Sequence, residues 1–118
     1  MKYQLAFHSL AGGRATNQDR VVCAERDNAV LMVLADGLGG HEGGALAAEI
    51  LTQTALRAFE AVRQPVITKP SAFLALTIMQ AHKAIFARGH AQVPPISPRT
   101  TCVLCLVQNG YAYWAHVG

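Results

Sequence analysis

Residues 30–49, VLMVLADGLGGHEGGALAAE, decide how the rest of the chain is read. Residues 30–35 form a short apolar run of the kind that makes a buried strand. The run ends on Asp36, and five glycines then fall within the eight positions 37–44 before a long helical pattern begins. A carboxylate delivered to a strand's end, followed by backbone too bare to obstruct a ligand, suits a metal ion or a phosphate.

Working outward, residues 20–25 read as a strand, and Asp27-Asn28 turns it into the strand at 30–35 as a hairpin. Residues 3–8, YQLAFH, alternate loosely and are expected to form an earlier strand. After the glycines the period becomes helical over 44–64, with Leu51, Ala55, Ala58 and Val62 on one face. Pro65 and the PVITKP segment stop that helix. Ser71 is expected to N-cap a second helix reaching about Arg88, with Leu74, Ile78, Ala81 and Ile85 inward and Gly89 at its end. Three prolines in 90–98 exclude regular structure there. Residues 100–107 are apolar on both faces, as in a strand covered on both sides. Asn109-Gly110 is the strongest hairpin signal in the chain and returns it as YAYWAHV. Strands grouped apart from two adjacent helices predict an α+β fold rather than alternating β-α-β units.

At 118 residues, 52% hydrophobic and 14% charged, the chain has the composition of one globular domain. No apolar run is long enough to cross a bilayer, and residues 1–14 lack the apolar core of a signal peptide. A cytoplasmic protein without membrane contact is expected. The net charge of +3 is scattered, so no basic face for nucleic acid is expected. Cys102 and Cys105 form a C-x-x-C, but in a strand positions three apart point to opposite faces, so they read as small core residues.

Asp36 is the leading candidate ligand, because an enclosed carboxylate is costly unless it meets a cation. Gly37 beside it leaves a carbonyl open to the same ion, and hard cations such as Mg²⁺ or Mn²⁺ favour such oxygens. The competing reading is an Asp that caps the following turn. Asp19, with Asn17 and Gln18, is the second acidic candidate. Arg14 shares its loop, and the planar guanidinium suits a phosphate. His41 reads as a capping or surface group, His116 as a packed core or rim histidine, and Thr100-Thr101 as strand packing with local hydrogen bonds. A dinucleotide fingerprint needs a glycine at position 42, where Glu42 stands, and a P-loop needs a lysine that this loop lacks.

Assembled, these residues resemble the metal-dependent serine/threonine protein phosphatases, the PPM family, in a bacterial form. Arg14-x-x-Asn17-Gln18-Asp19 looks like the family's first motif. Ala35-Asp36-Gly37-Leu38-Gly39-Gly40-His41 looks like its Asp-Gly-x-Gly-Gly signature. Arg99-Thr100-Thr101 and Ala115-His116-Val117-Gly118 resemble the paired strands leading to its Gly-Asp-Ser-Arg motif. The resemblance implies a truncated, N-terminal part of an α-β-β-α sandwich, two antiparallel sheets flanked by helix pairs. It implies Asp36 bridging two Mn²⁺ or Mg²⁺ ions, the Gly37 carbonyl on one of them, Asp19 at the second ion, and Arg14 clamping the substrate phosphate. Phosphorylated proteins, the targets of a protein kinase, would be the partners. Gln18 stands where many relatives carry Glu, Leu38 where some carry His, and Arg99 where Gly is usual. The chain also ends before the expected later aspartates, so this portion alone is expected to be inactive. The alternatives from other classes are a non-catalytic regulatory or interaction module of the same fold and, more weakly, a nucleotide-binding protein.

Overall fold

Two tight turns, at Asp27-Asn28 and Asn109-Gly110, fold four of the expected strands into hairpins. The computed structural model describes residues 1–13, 16–38 and 42–118, with Glu42 as backbone only. Strand β1 (Asp19–Arg26) pairs antiparallel with β2 (Ala29–Asp36), Arg26 standing opposite Ala29. Strand β3 (Cys102–Gln108) pairs with β4 (Tyr111–Val117), Gln108 opposite Tyr111. Asn109 and Gly110 have φ of 51° and 80°, the two positive values that the favoured two-residue hairpin turn demands. β2 and β3 join the hairpins into one antiparallel sheet of order β1-β2-β3-β4.

Helices α1 (Glu42–Ala61) and α2 (Pro70–His90) cover one face of this sheet. The alternate residues Leu31, Val33 and Ala35 of β2, and Leu104 and Leu106 of β3, are buried against Leu51, Ala55 and Phe59 of α1 and Leu74 of α2. Burying one such large side chain stabilises by about 1.5–3 kcal/mol, so this layer holds helices and sheet together. Buried Thr52 and Thr77 direct their hydroxyls back to the carbonyls of Ala48 and Phe73, at 3.1 and 2.7 Å. Buried Gln108 brackets Ile67 in the interhelix connection, accepting from its N–H at 2.9 Å and donating to its carbonyl at 2.8 Å. Past the end of α1, Arg26 donates to the carbonyls of Val62 and Gln64 and lies over the Phe59 ring, 5.1 Å from its centroid.

This is an α+β arrangement, one sheet and one helix pair of the expected sandwich. It departs from expectation in four places. Residues 3–8 form no strand: alternation supplies a face but not a ladder partner, and a strand without one is not stable. Tyr3 of that segment instead makes a side-chain contact, donating to Glu25 Oε2 at 2.8 Å. Ser71 is not the cap of α2, which starts with Pro70 after Lys69 without a side-chain cap bond; Pro suits a first turn whose N–H would be unpaired anyway. Gly89 does not end α2 but sits buried within its last turn, where a Cβ would strike Pro98 and the Ile96 carbonyl. Finally, among the described residues β3 is covered on one side only. Leu34 and Val103 are partly exposed on the other face, and Trp114 is 70% exposed.

Candidate metal and phosphate site

β1 and β2 run out together at one corner of the sheet, and register places Asp19 directly opposite Asp36. The next pair outward is bonded, Gly37 N–H donating to the Gln18 carbonyl at 3.1 Å. Antiparallel pairs alternate, so Asp19 and Asp36 form a non-hydrogen-bonded pair, the kind whose side chains stand closer. Both project from the sheet face away from the helices, since Ala35, one position back, is buried in the core. Asp36 is exposed and Asp19 half-buried. Like charges directly opposite each other are destabilising, and a cation between them would reverse the sign.

Each carboxylate is held through its backbone. The Asp36 carbonyl accepts from Thr101 N–H at 2.9 Å, and the Asp36 N–H donates to Thr101 Oγ1 at 3.2 Å. Thr101 thus grips both sides of the Asp36 peptide. Gly37 has α1 immediately against it: a Cβ there would lie 2.8 Å from the Gln18 carbonyl oxygen and closer still to that of Gly44. The glycines at 37 and 44 therefore let the start of α1 rest on the end of β2. On the other strand, Asn17 Oδ1 accepts from Asp19 N–H at 3.0 Å and Asn17 Nδ2 donates to Ser9 Oγ at 2.8 Å. Arg20 reaches from the helix-facing side of β1 to the carbonyls of Asn17 and Asp19 and to Glu49 of α1.

Asp19, Asp36 and Gly37 line one cavity of about 190 Å³, with Thr16, Asn17 and Gln18 contributing further polar groups. An oxygen-rich lining with two carboxylates matches what hard divalent cations bind. Among the described residues no group of three or more His, Cys, Asp or Glu gathers at one point. Two carboxylates alone would make a partial shell, the rest left to water, which Mg²⁺ retains readily. The structure brings Asp19, Asp36 and Gly37 to one corner of the sheet. Arg14 and His41 lie outside the described residues. The sequence does not single out Thr101 or Arg20 as supports for the carboxylates: Thr101 reaches Asp36 across 65 positions, and Arg20 is seated by Glu49 across 29.

The remaining candidates stand apart from this corner. Cys102 is buried on the helix side and Cys105 half-buried on the open side, the opposite-face placement that the strand pattern predicts. Burial pushes the Cys102 thiol up to about 11, which makes it a poor nucleophile or ligand. His116 is exposed at the rim of the open face, opposite Val103. Among the described residues no helix is long and apolar enough to cross a membrane.

This corner of paired carboxylates, on a sheet with two helices across its back, belongs to a known class. Residues 9–118 match the protein phosphatase 2C family, and the chain is a member of it. Among solved structures it is similar to a bacterial serine phosphatase, with a TM-score of 0.84 and 26% identity over 94% of this chain and 51% of that one. It is also similar to the serine/threonine phosphatase PstP/Ppp of Mycobacterium tuberculosis, with a TM-score of 0.73 and 25% identity over 93% of this chain and 43% of that one. A serine/threonine phosphatase of S. agalactiae shares the fold, with a TM-score of 0.76 and 24% identity over 89% of this chain and 43% of that one. The chain thus spans about half the length of these structures or less. No curated protein matches the sequence.

Proposed function

We propose that the complete protein is a cytoplasmic phosphatase that hydrolyses phosphoserine and phosphothreonine in proteins, using Mn²⁺ or Mg²⁺. The observation that carries this reading is the opposed Asp19–Asp36 pair beside Gly37, in a chain of the phosphatase 2C family. Asp36 and Asp19, with the Gly37 carbonyl, would hold the ions. When bound, such ions supply Lewis acidity toward a phosphoryl oxygen and make a water acidic enough to act near neutral pH. Arg14 would take the phosphate oxygens in its planar fork. Two nearby hydroxyls are engaged with backbone: Thr100 Oγ1 donates to the Thr101 carbonyl at 2.8 Å, and Thr101 Oγ1 accepts from Asp36 N–H. Direct attack by a water so activated calls on neither of them.

The test is hydrolysis of p-nitrophenyl phosphate and of a phosphothreonine peptide by the full-length protein with Mn²⁺. Asp36→Asn should lower the rate by roughly 100-fold. A folded, Mn²⁺-treated protein with no phosphatase activity, or an Asp36→Asn variant as active as wild type, would sink the proposal. The first result would instead favour a non-catalytic module of the same fold.

A further inference from the structure

Among the described residues β1 is the edge strand of the sheet, the position where a strand's outer N–H and C=O groups look beyond the ladder for partners. At Asp19 that side is closed by side chains. The Asp19 N–H donates to Asn17 Oδ1. Arg20 Nη1 donates to the Asp19 carbonyl at 2.8 Å and to the Asn17 carbonyl at 3.0 Å. Arg20 Nε in turn donates to Glu49 Oε2 at 3.2 Å, and Glu49 Oε1 accepts from Gln53 Nε2 at 3.1 Å. Glu49 and Gln53 lie one turn apart on α1, so a single run of contacts leads from that helix to the carbonyls of Asn17 and Asp19.

We propose that Arg20, seated by Glu49, is the positioning residue for the Asp19 carboxylate. It sets where Asp19 stands relative to Asp36, and with it the affinity for the cation that Asp19 reaches. The proposal rests on the reading of Asp19 as a metal ligand. Arg20 itself sits on the helix-facing side of β1, opposite Ala35, while Asp19 and Asp36 project from the other face. It therefore acts through the backbone and does not touch the ion. A plain strand-to-helix staple would need only the charge pair, and a pair as exposed as this, at 36% and 48%, contributes little to stability. The carbonyl bonds go further, because Nη1 makes them while Nε holds Glu49, and that fixed pair of nitrogens is a geometry that lysine's single ammonium does not reproduce.

The experiment is a Mn²⁺ titration of the full-length protein, read by the electron paramagnetic resonance signal of free Mn²⁺. The variants are Arg20→Ala, Asp19→Asn, their double, Asp36→Asn and Arg20→Lys. Arg20→Ala should weaken the site about tenfold, the usual effect of losing a group that orients a ligand. The double variant should bind no more weakly than Asp19→Asn alone, because Arg20 acts only through Asp19. Arg20→Lys should bind nearly as poorly as Arg20→Ala, and it replaces that variant in the cycle should Arg20→Ala fail to fold. Unchanged affinity in both Arg20 variants, or losses that simply add in the double, would overturn the proposal. Binding that neither Asp19→Asn nor Asp36→Asn alters would overturn the metal reading itself and the proposal with it.

Discussion

Neutralising Asp36 should stabilise the protein without metal and destabilise it relative to wild type with metal. Asp36 faces Asp19 across a non-hydrogen-bonded pair, which places the two Cβ atoms about 4.5–5.5 Å apart. Two unit charges about 5 Å apart in a water-like dielectric repel by roughly 0.8 kcal/mol, and the exposure of Asp36 makes that the fitting limit. Asp36→Asn removes the repulsion and keeps the backbone bonds to Thr101. In EDTA the variant should therefore gain about 0.5–1 kcal/mol. With free Mn²⁺ at about 100 times the dissociation constant, wild type gains about 2.7 kcal/mol through binding. The variant should lose most of that gain. Urea denaturation of both proteins, with EDTA and with Mn²⁺, reads the difference directly. An Asp36→Asn variant less stable in EDTA, or one stabilised by Mn²⁺ as much as wild type, would refute the cation-bridged reading of this corner.

Thr101→Val removes the acceptor for the Asp36 N–H and should cost about 0.5–1.5 kcal/mol by urea midpoint, with weaker Mn²⁺ binding in the same titration. Gln108→Leu leaves both polar groups of the Ile67 peptide unpaired in the interior, and should cost more than about 2 kcal/mol by the same assay. The Cys102 thiol is raised by burial from an ordinary 9.0 to about 11. The folded state thus holds its proton where the unfolded chain has lost it, and stability should fall as pH rises through that window. Below pH 9 the contribution is fully present, and Cys102→Ala should flatten the slope between pH 9 and 11 in alkaline denaturation.

Much of this layout is legible in the sequence because its signals are local. Asn109-Gly110 specifies its turn by itself, since both positions need positive φ. The run at 30–35 is a strand because its length and composition leave few alternatives, and the period of 44–64 places Leu51 and Ala55 in the core. Residues 3–8 mislead for the complementary reason: alternation describes one strand, whereas a strand exists only with a neighbour. Asp19 and Asp36 can be read as candidates, but their opposition follows from the β1–β2 register, which the Asp27-Asn28 turn fixes. Thr101 on Asp36 and Glu49 on Arg20 span 65 and 29 positions. Only the assembled sheet brings those pairs together.

The glycines after Asp36 carry two meanings, and the structure separates them. A bare loop near a carboxylate reads as access for a ligand, yet Gly37 and Gly44 touch each other, and added side chains there would meet protein. At residue 44 a Cβ would lie 2.9 Å from the Leu38 carbonyl oxygen. Gly37→Ala should therefore cost about 1–3 kcal/mol of stability, the usual effect of overfilling a packed contact, and it should do so in EDTA as well as in Mn²⁺. Asp36→Asn, one position away, should gain stability in EDTA. Opposite signs in adjacent residues would assign the glycine to the seating of α1 on β2 and the aspartate to the cation. A Gly37→Ala variant that loses Mn²⁺ affinity at unchanged metal-free stability would refute that assignment and return Gly37 to the role of ligand access alone. The seating matters to the site because α1 meets both strands: Gly44 bears on the residue after Asp36, and Glu49 holds the residue after Asp19. One helix thus fixes the positions of both carboxylates.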